Sequence, residues 1–346
     1  MLELVRTTRI VGWRRLLELR RAQRRVWPTI INGFVMTRAV QALLNVGFFD
    51  ALERRGSIEP KEFAVEAGLD EDVLSSLCDA LYASRILDRN GHGYRLNPDG
   101  RSLVTTGRGW FEGVYGYEPV YHSLEQLLRK EAVYGVDVTR LPDHIARGSA
   151  AAEALLYFPL AIDMVRQAGY RHLLDLGCGE GTFLRDLCRA LPGVRASGLD
   201  LSPVAVSAGQ QRNRAAGLDG RIHMLVQDVS TLTEAPPELR DVDVATIFFV
   251  LHELLYGGEA RVISFLRQFR TAFPGVPLIA FEADRPSVEA MRRRPGMAIP
   301  YFLQHDLSHQ RAVSREAWRP ILEKAGFSGI EERNLGFARS TIFVLR

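Results

Sequence analysis

Two different periods of apolar residues divide the chain. Up to about Leu103 the apolar positions recur mainly at helical spacing. Val35, Ala39, Leu43 and Leu44 form one run with Gly47 just past it as a C-cap, and the segment from Ile58 to Ala67 ends at Gly68. Asp70 is placed to cap the next helix, in which Val73, Leu74, Leu77, Leu81 and Ile86 are expected to make one buried stripe. Ile86 to Asp88 and Tyr94 to Leu96 flank Asn90-Gly91-His92-Gly93, a tight-turn signal between two short strands. Helices followed by such a hairpin describe a winged-helix-like, mainly helical module.

From Arg171 the period changes. Apolar strands at Leu173 to Leu176, Ala196 to Leu199, His223 to Val226, Val242 to Phe249 and Leu278 to Glu282 alternate with helical stretches. This alternation predicts an α/β half, a Rossmann-like doubly wound parallel sheet with right-handed crossovers. Between the halves lies an aromatic, glycine-interrupted stretch, Trp110 to Tyr117, and then an apolar helix from Val120 to Leu128. The expected organisation is a helical module over 1–105, a pocket-forming helical segment over 106–165 and a ligand-binding catalytic domain over 166–346.

The first strand of the sheet ends in Asp175-Leu176-Gly177-Cys178-Gly179-Glu180-Gly181, and a helix opens at Thr182. Ligands of such sheets sit beyond the strand C-termini, where glycine lets a ligand approach the backbone. The dinucleotide fingerprint requires Gly or Ala at 182, where this chain has Thr182. Asp175 would also repel a pyrophosphate, whereas a ligand carrying an ammonium and a sulfonium would welcome it. The loop therefore favours S-adenosylmethionine over NAD. Asp200 ends the second strand, 19 residues beyond Gly181, where a carboxylate can accept both ribose hydroxyls. Gln227 and Asp228 end the third, where Asp228 can accept from an adenine amino group.

Leu173 to Leu184, Gly198 to Ser202, Val226 to Val229 and Phe248 to Leu254 resemble the successive motifs of class I S-adenosylmethionine-dependent methyltransferases. The front half resembles the dimerisation domain of the small-molecule O-methyltransferase branch, so the similarity covers about residues 30 to 346. The resemblance implies a homodimer, with cofactor at Asp175, Gly177, Gly179, Gly181, Asp200, Leu201, Gln227, Asp228 and Val229, and substrate between the domains. Ile330 to Asn334 and Ser340 to Leu345 look like that fold's terminal antiparallel hairpin.

In this branch a histidine following the fourth strand is the general base, and Leu251-His252-Glu253-Leu254 supplies one. A long insertion after the fifth strand carries His305, and the pair His252 and His305 resembles a small subgroup that methylates the β-carbon of α-keto acids with a metal held by two such histidines. Carbon is a poor nucleophile, so a cation chelating the ketone and carboxylate oxygens would acidify the adjacent C–H and stabilise an enolate. Imidazole suits iron or zinc, and few protein ligands leave positions free for a bidentate substrate. Glu253 and Asp306 are placed to orient the imidazoles or complete the metal shell. His305 and His309 could instead share one exposed helix face.

Arg140 and Arg285 are candidates for a substrate carboxylate, and Trp110, Tyr115, Met297 and Phe302 for the walls of an apolar side-chain pocket. The alternatives are metal-free O-methylation of a hydroxylated aromatic metabolite with His252 as base, and a winged-helix regulator that senses S-adenosylmethionine and binds DNA.

Composition narrows these readings. Hydrophobic residues at 47% and charged at 25% are globular proportions, and even Val244 to Leu251 is stopped by His252 and Glu253 before it could span a membrane. Cys78, Cys178 and Cys188 sit in unrelated contexts, offering neither a disulfide framework nor a metal knuckle, so a reducing cytoplasm is expected. The net charge of +3 has an uneven source, since the first 25 residues hold Arg6, Arg9, Arg14, Arg15, Arg20, Arg21, Arg24 and Arg25 against Glu3 and Glu18. Ile10, Val11, Trp13, Leu16, Leu17 and Leu19 give that stretch an apolar face, which reads as a solvated helix packed on its neighbour or on a partner subunit rather than a secretory signal. The third helix of the front module carries Asp70, Glu71, Asp72 and Asp79 and no Lys or Arg, which argues against nucleic acid as a partner.

Overall fold

Asp70 caps the helix Glu71–Ala83, its Oδ1 accepting from the Val73 N–H at 2.9 Å. The buried stripe of this helix is Leu74, Cys78 and Leu81, while Val73 is 58% exposed. Adjacent residues point about 100° apart on a helix, so Val73 cannot share the face that positions 74, 78 and 81 define. The computed structural model describes residues 2–346. It divides into two units, Met1–Phe111 and Glu112–Arg346.

In the first unit, Phe48, Phe49, Leu52, Cys78 and Leu81 form the core beside the hairpin of β1 (Leu87–Asn90) and β2 (Gly93–Leu96). Asn90 pairs with Gly93 across a two-residue turn whose Gly91 has φ of +61°, a backbone region that favours glycine. The helix Val26–Asn45 is split in character: Ala39, Val40, Leu43 and Leu44 are buried, whereas Trp27, Ile30, Ile31 and Phe34 are exposed. Ahead of it, Leu2–Val11 and Trp13–Ala22 are separated at Gly12, and the second of these helices buries none of its residues. Of the two dockings open to the leader, on its neighbour or on a partner subunit, the first buries no residue of Trp13–Ala22.

The second unit holds a seven-stranded sheet. Its strands are β3 (His172–Leu176), β4 (Arg195–Asp200), β5 (Ile222–Val226), β6 (Val244–Phe248), β7 (Leu278–Ala283), β8 (Ile330–Leu335) and β9 (Ser340–Leu345). They lie in the order β5-β4-β3-β6-β7-β9-β8, with β3 to β7 parallel and β9 antiparallel between β7 and β8. The chain winds outward in one direction through β4 and β5 and in the other through β6 and β7, which leaves a crevice where β3 and β6 end. Phe269, Leu266 and Trp318 fill one core cluster and Phe158, Phe183, Leu184 and Phe281 another. Truncating a fully buried ring such as Phe269 to Ala would cost about 3–5 kcal/mol.

The helix Pro142–Ala168 is, among the described residues, the one helix long and apolar enough by composition to cross a membrane. Its Phe158, Ala161 and Val165 are nevertheless buried in the core cluster that contains Leu173. The apolar run Val120 to Leu128 is two short helices, Glu118–His122 and Leu124–Arg129, broken at Ser123; Val120 is buried and Leu128 is 83% exposed.

Candidate active site

The glycine loop turns sharply off β3. Gly177, Gly179 and Gly181 all have positive φ, at +79°, +52° and +71°, so each occupies a conformation that costs any other residue type. The helix Thr182–Ala190 starts directly after them. The Gly179 N–H donates to Asp200 Oδ2 at 2.8 Å and the Ser202 N–H donates to Asp200 Oδ1 at 2.8 Å, fixing that carboxylate at the end of β4. Gly177 N–H donates to Leu199 O at 2.8 Å, which binds the loop to the same strand. Asp228 Oδ1 accepts from the backbone N–H of Ser230 at 2.8 Å, Gln227 donates to Thr231 Oγ1, and Val229 is buried beside them. Leu201 is 69% exposed.

Asp175 is buried at the end of β3, and Thr246 Oγ1 donates to its Oδ1 at 2.8 Å. Burial pushes its pKa up to about 7, against the Thr246 hydrogen bond and assisted by repulsion from Asp200. A carboxyl held that high without a cation fits a cationic ligand, which would restore the charged form. The residues present thus suit the ammonium and sulfonium of S-adenosylmethionine.

Across the crevice, His252 lies in the helix Leu251–Leu255 that follows β6, and His305 in Ala298–Leu307. Both are buried, and their ring centroids are 4.9 Å apart. His252 Nδ1 donates to Glu282 Oε2 at 2.8 Å, and Glu282 Oε1 accepts from the Leu251 N–H at 2.8 Å. His305 Nδ1 is 2.6 Å from the Tyr301 carbonyl, which can only accept, so the proton of His305 resides on Nδ1 and its Nε2 carries a lone pair. Burial drives the His305 pKa down to about 3, aided by repulsion from His252, and the ring is neutral at physiological pH. Burial also acts to lower His252, but attraction and hydrogen bonding from Glu282 outweigh it and the net shift is upward.

Among the described residues there is no group of three or more His, Cys, Asp or Glu disposed to hold a metal. A two-imidazole site is the arrangement to test. With both Nδ1 atoms engaged, His252 and His305 are the residues that would hold a metal, each through Nε2.

The remaining candidates are distributed unevenly. Glu253 orients neither imidazole; Arg140 reaches it at 3.0 Å and Gln310 donates to it. Arg140 also donates to Tyr117 Oη at 3.3 Å, so its guanidinium is already engaged. Asp306 is clamped by Arg285 through two hydrogen bonds of 2.5 and 2.6 Å, and that guanidinium lies over the Phe302 ring. Phe302 is buried, Met297 is 42% exposed, Tyr115 packs edge-on against His144, and Trp110 belongs to the first unit. His309 has φ of +56° beyond the helix end and stacks on Tyr256 at 4.5 Å, apart from the His305 face.

Sequence reasoning missed Glu282, Tyr301 and Gln310. Glu282 had a signal: it closes the fifth strand as Asp175 and Asp200 close the first two, and the same strand-end argument extends to it. Tyr301 acts through its backbone carbonyl, which no side-chain pattern reports.

A glycine loop at a topological switch point, an acid at each neighbouring strand end and a buried histidine across the crevice define an S-adenosylmethionine-binding methyltransferase fold. Two families match the chain accordingly: the methyltransferase domain over residues 174–273 and the O-methyltransferase dimerisation domain over residues 29–106. Human N-acetylserotonin methyltransferase, solved in complex with SAM, superimposes with a TM-score of 0.71 at 18% identity, over 93% of this chain and 96% of that one. The mitomycin 7-O-methyltransferase structure gives a TM-score of 0.66 at 20% identity, over 95% and 99% of the two chains. In sequence, 2-ketoarginine methyltransferase from Streptomyces arginensis is 26% identical over 88% of both chains. The 3-hydroxy-5-methyl-1-naphthoate 3-O-methyltransferase of Streptomyces sahachiroi is 24% identical over 65% of this chain and 69% of its own. The chain is an S-adenosylmethionine-dependent methyltransferase that carries an O-methyltransferase dimerisation domain.

Proposed function

We propose that the enzyme methylates the β-carbon of a small α-keto acid. The observation that carries this reading is the buried pair His252 and His305, each with Nδ1 occupied and rings 4.9 Å apart. The similarity to 2-ketoarginine methyltransferase over 88% of both chains supports an α-keto acid as the acceptor. A transition metal, iron or zinc, held by the two Nε2 atoms would supply Lewis acidity toward the ketone and carboxylate oxygens of the substrate.

The chain's own residues supply the rest. Glu282 holds the His252 ring and its Nδ1 proton, and the Tyr301 carbonyl does the same for His305. Asp175, Asp200, Asp228 and the glycine loop orient the cofactor, so that its methyl group faces the acceptor carbon in line. Phe302, buried on the same helix as His305, helps to exclude water. In this reading residues 1–105 pair two subunits, 106–165 line the pocket and 166–346 hold the cofactor and chemistry. Three free, buried cysteines suit a reducing cytoplasm.

A second reading is favoured by the His252–Glu282 pair: a metal-free general base that takes the proton of a phenolic hydroxyl at His252 Nε2. The two separate in one set of assays. Purified protein is analysed for bound metal and incubated with S-adenosylmethionine and either α-keto acids or phenols, with transfer followed by mass spectrometry. Keto acid methylation that chelation or His305→Ala abolishes supports carbon transfer. A metal-free enzyme active on phenols, in which His305→Ala retains activity and His252→Ala does not, overturns it.

A further inference from the structure

Glu153 is an acidic residue that nothing in the fold explains. It lies in the helix Pro142–Ala168, which runs back toward β3 from beyond the C-terminal strand ends. Two adjacent residues of that helix mark its height above the sheet. Phe158 packs on Phe183 and Phe248 at centroid distances of 5.1 and 5.4 Å, and Tyr157 packs on Phe249 and Phe281 at 4.8 and 6.0 Å. Phe248 and Phe249 are the last residue of β6 and the one after it. Glu153 is one turn further out on the Tyr157 side, so it stands above the strand ends where cofactor and acceptor meet.

No described side chain donates a hydrogen bond to Glu153 and no cation pairs with it. It is partly accessible, yet enclosed enough that burial, reinforced by Asp175, holds its pKa well above the usual range. Its charge also bears on Tyr157 and on Tyr301, whose ring lies 4.0 Å from that of His305. The carboxylate therefore belongs to the acceptor side as well as to the Asp175 side. A carboxylate enclosed without a partner is costly unless a ligand completes it.

We infer that Glu153 receives a cationic group, guanidinium or ammonium, at the end of the substrate side chain, so that the acceptor is a basic α-keto acid. This rests on the α-keto acid reading above. Asp175, at the head of the glycine loop, already answers the cofactor's positive charge, which leaves Glu153 for the acceptor. The side chain would lie between Tyr157 and Tyr301 with its cation on the carboxylate, and the keto acid end near His252 and His305.

The test compares 2-ketoarginine with phenylpyruvate on the purified enzyme. Wild type should prefer 2-ketoarginine, and Glu153→Gln should lower the ratio of the two kcat/KM values by on the order of 10²-fold, because a buried charge loses its partner. Glu153→Asp should recover part of the ratio, and Glu153→Gln should bind S-adenosylhomocysteine with a Kd within about twofold of wild type. An unchanged ratio, or a wild-type preference for phenylpyruvate, overturns the inference while leaving the α-keto acid reading standing. A loss that appears entirely as weaker S-adenosylhomocysteine binding assigns the carboxylate to the cofactor's ammonium and also overturns it. If wild type methylates neither keto acid, the α-keto acid reading itself fails, and the inference with it.

Discussion

Glu282 Oε2 stands 2.8 Å from His252 Nδ1, and both side chains are buried, one at the end of β7 and the other after β6. Two parallel strands that are neighbours in the sheet thus present a carboxylate and an imidazole at the same edge. The carboxylate fixes which imidazole nitrogen is left for chemistry. Glu282→Gln should keep the ring near its place but remove the charge, and should lower metal affinity or methyl transfer by about 10–100-fold. Glu253→Gln, which breaks a pair with Arg140 rather than with His252, should cost less. Steady-state rates and metal content of the two variants check the order; equal losses would refute it.

Asp175 gives a pH dependence with a definite sign. With a pKa of about 7 in the free protein, most of the group is protonated at pH 6 and ionised at pH 8. A cationic ligand binds the ionised form, so affinity for S-adenosylhomocysteine should tighten roughly tenfold between pH 6 and pH 8, and binding at pH 6 should release close to one proton. Calorimetry in buffers of different ionisation enthalpy measures both. Asp175→Asn should flatten the profile. The same variant should stabilise the ligand-free protein at pH 8 by up to about 4 kcal/mol, since a carboxyl whose folded pKa is raised loses folding stability as pH rises above its unfolded value.

The sheet was readable because buried parallel strands are short apolar runs, and every strand expected between Leu173 and Leu345 is present within two residues of its expected ends. The positions of Asp175, Asp200 and Asp228 at or just beyond strand ends were readable because the ends of short apolar runs can be counted from sequence. What sequence hid is of another kind. Glu282 and His252 are 30 residues apart and meet only through sheet order, and Tyr301 contributes a carbonyl. Val73 was misplaced by treating an apolar residue adjacent to the stripe as part of it, and the split of the Val120–Leu128 run depends on packing that periodicity does not encode.

Gly198 predicts a stability effect without a change of chemistry. A Cβ at this position in β4 would lie 2.5 Å from Cys178 Sγ and 2.8 Å from both Cys178 Cβ and Leu184 Cδ1. The glycine lets the cofactor loop and its helix sit directly on the strand. Gly198→Ala should destabilise by about 1–3 kcal/mol through overpacking. Cys178→Ala in the same chain should recover part of the loss by removing the nearest atom. Urea midpoints of the single and double variants measure the coupling, and strictly additive losses would exclude direct crowding.

The helix Val26–Asn45 carries the argument for a dimer. Its second half buries Val40, Leu43 and Leu44 in its own unit, while Ile30 is 65% and Phe34 is 68% exposed, with Trp27 and Ile31 beside them. A row of large apolar side chains at helical spacing has no reason to face water in a monomer, and it falls within the matched dimerisation domain from residue 29 onward. A second copy, presenting the same row, is the partner that the symmetry of homodimers supplies. Phe34→Asp should weaken association by about 2–4 kcal/mol, a loss of roughly 30- to 1000-fold in dimer Kd, because a central aromatic anchor is replaced by a charge. Sedimentation velocity over a range of concentrations should then show dimer for wild type and monomer for the variant. A wild-type protein that stays monomeric throughout, or a variant that dimerises as tightly, would remove this helix from the interface.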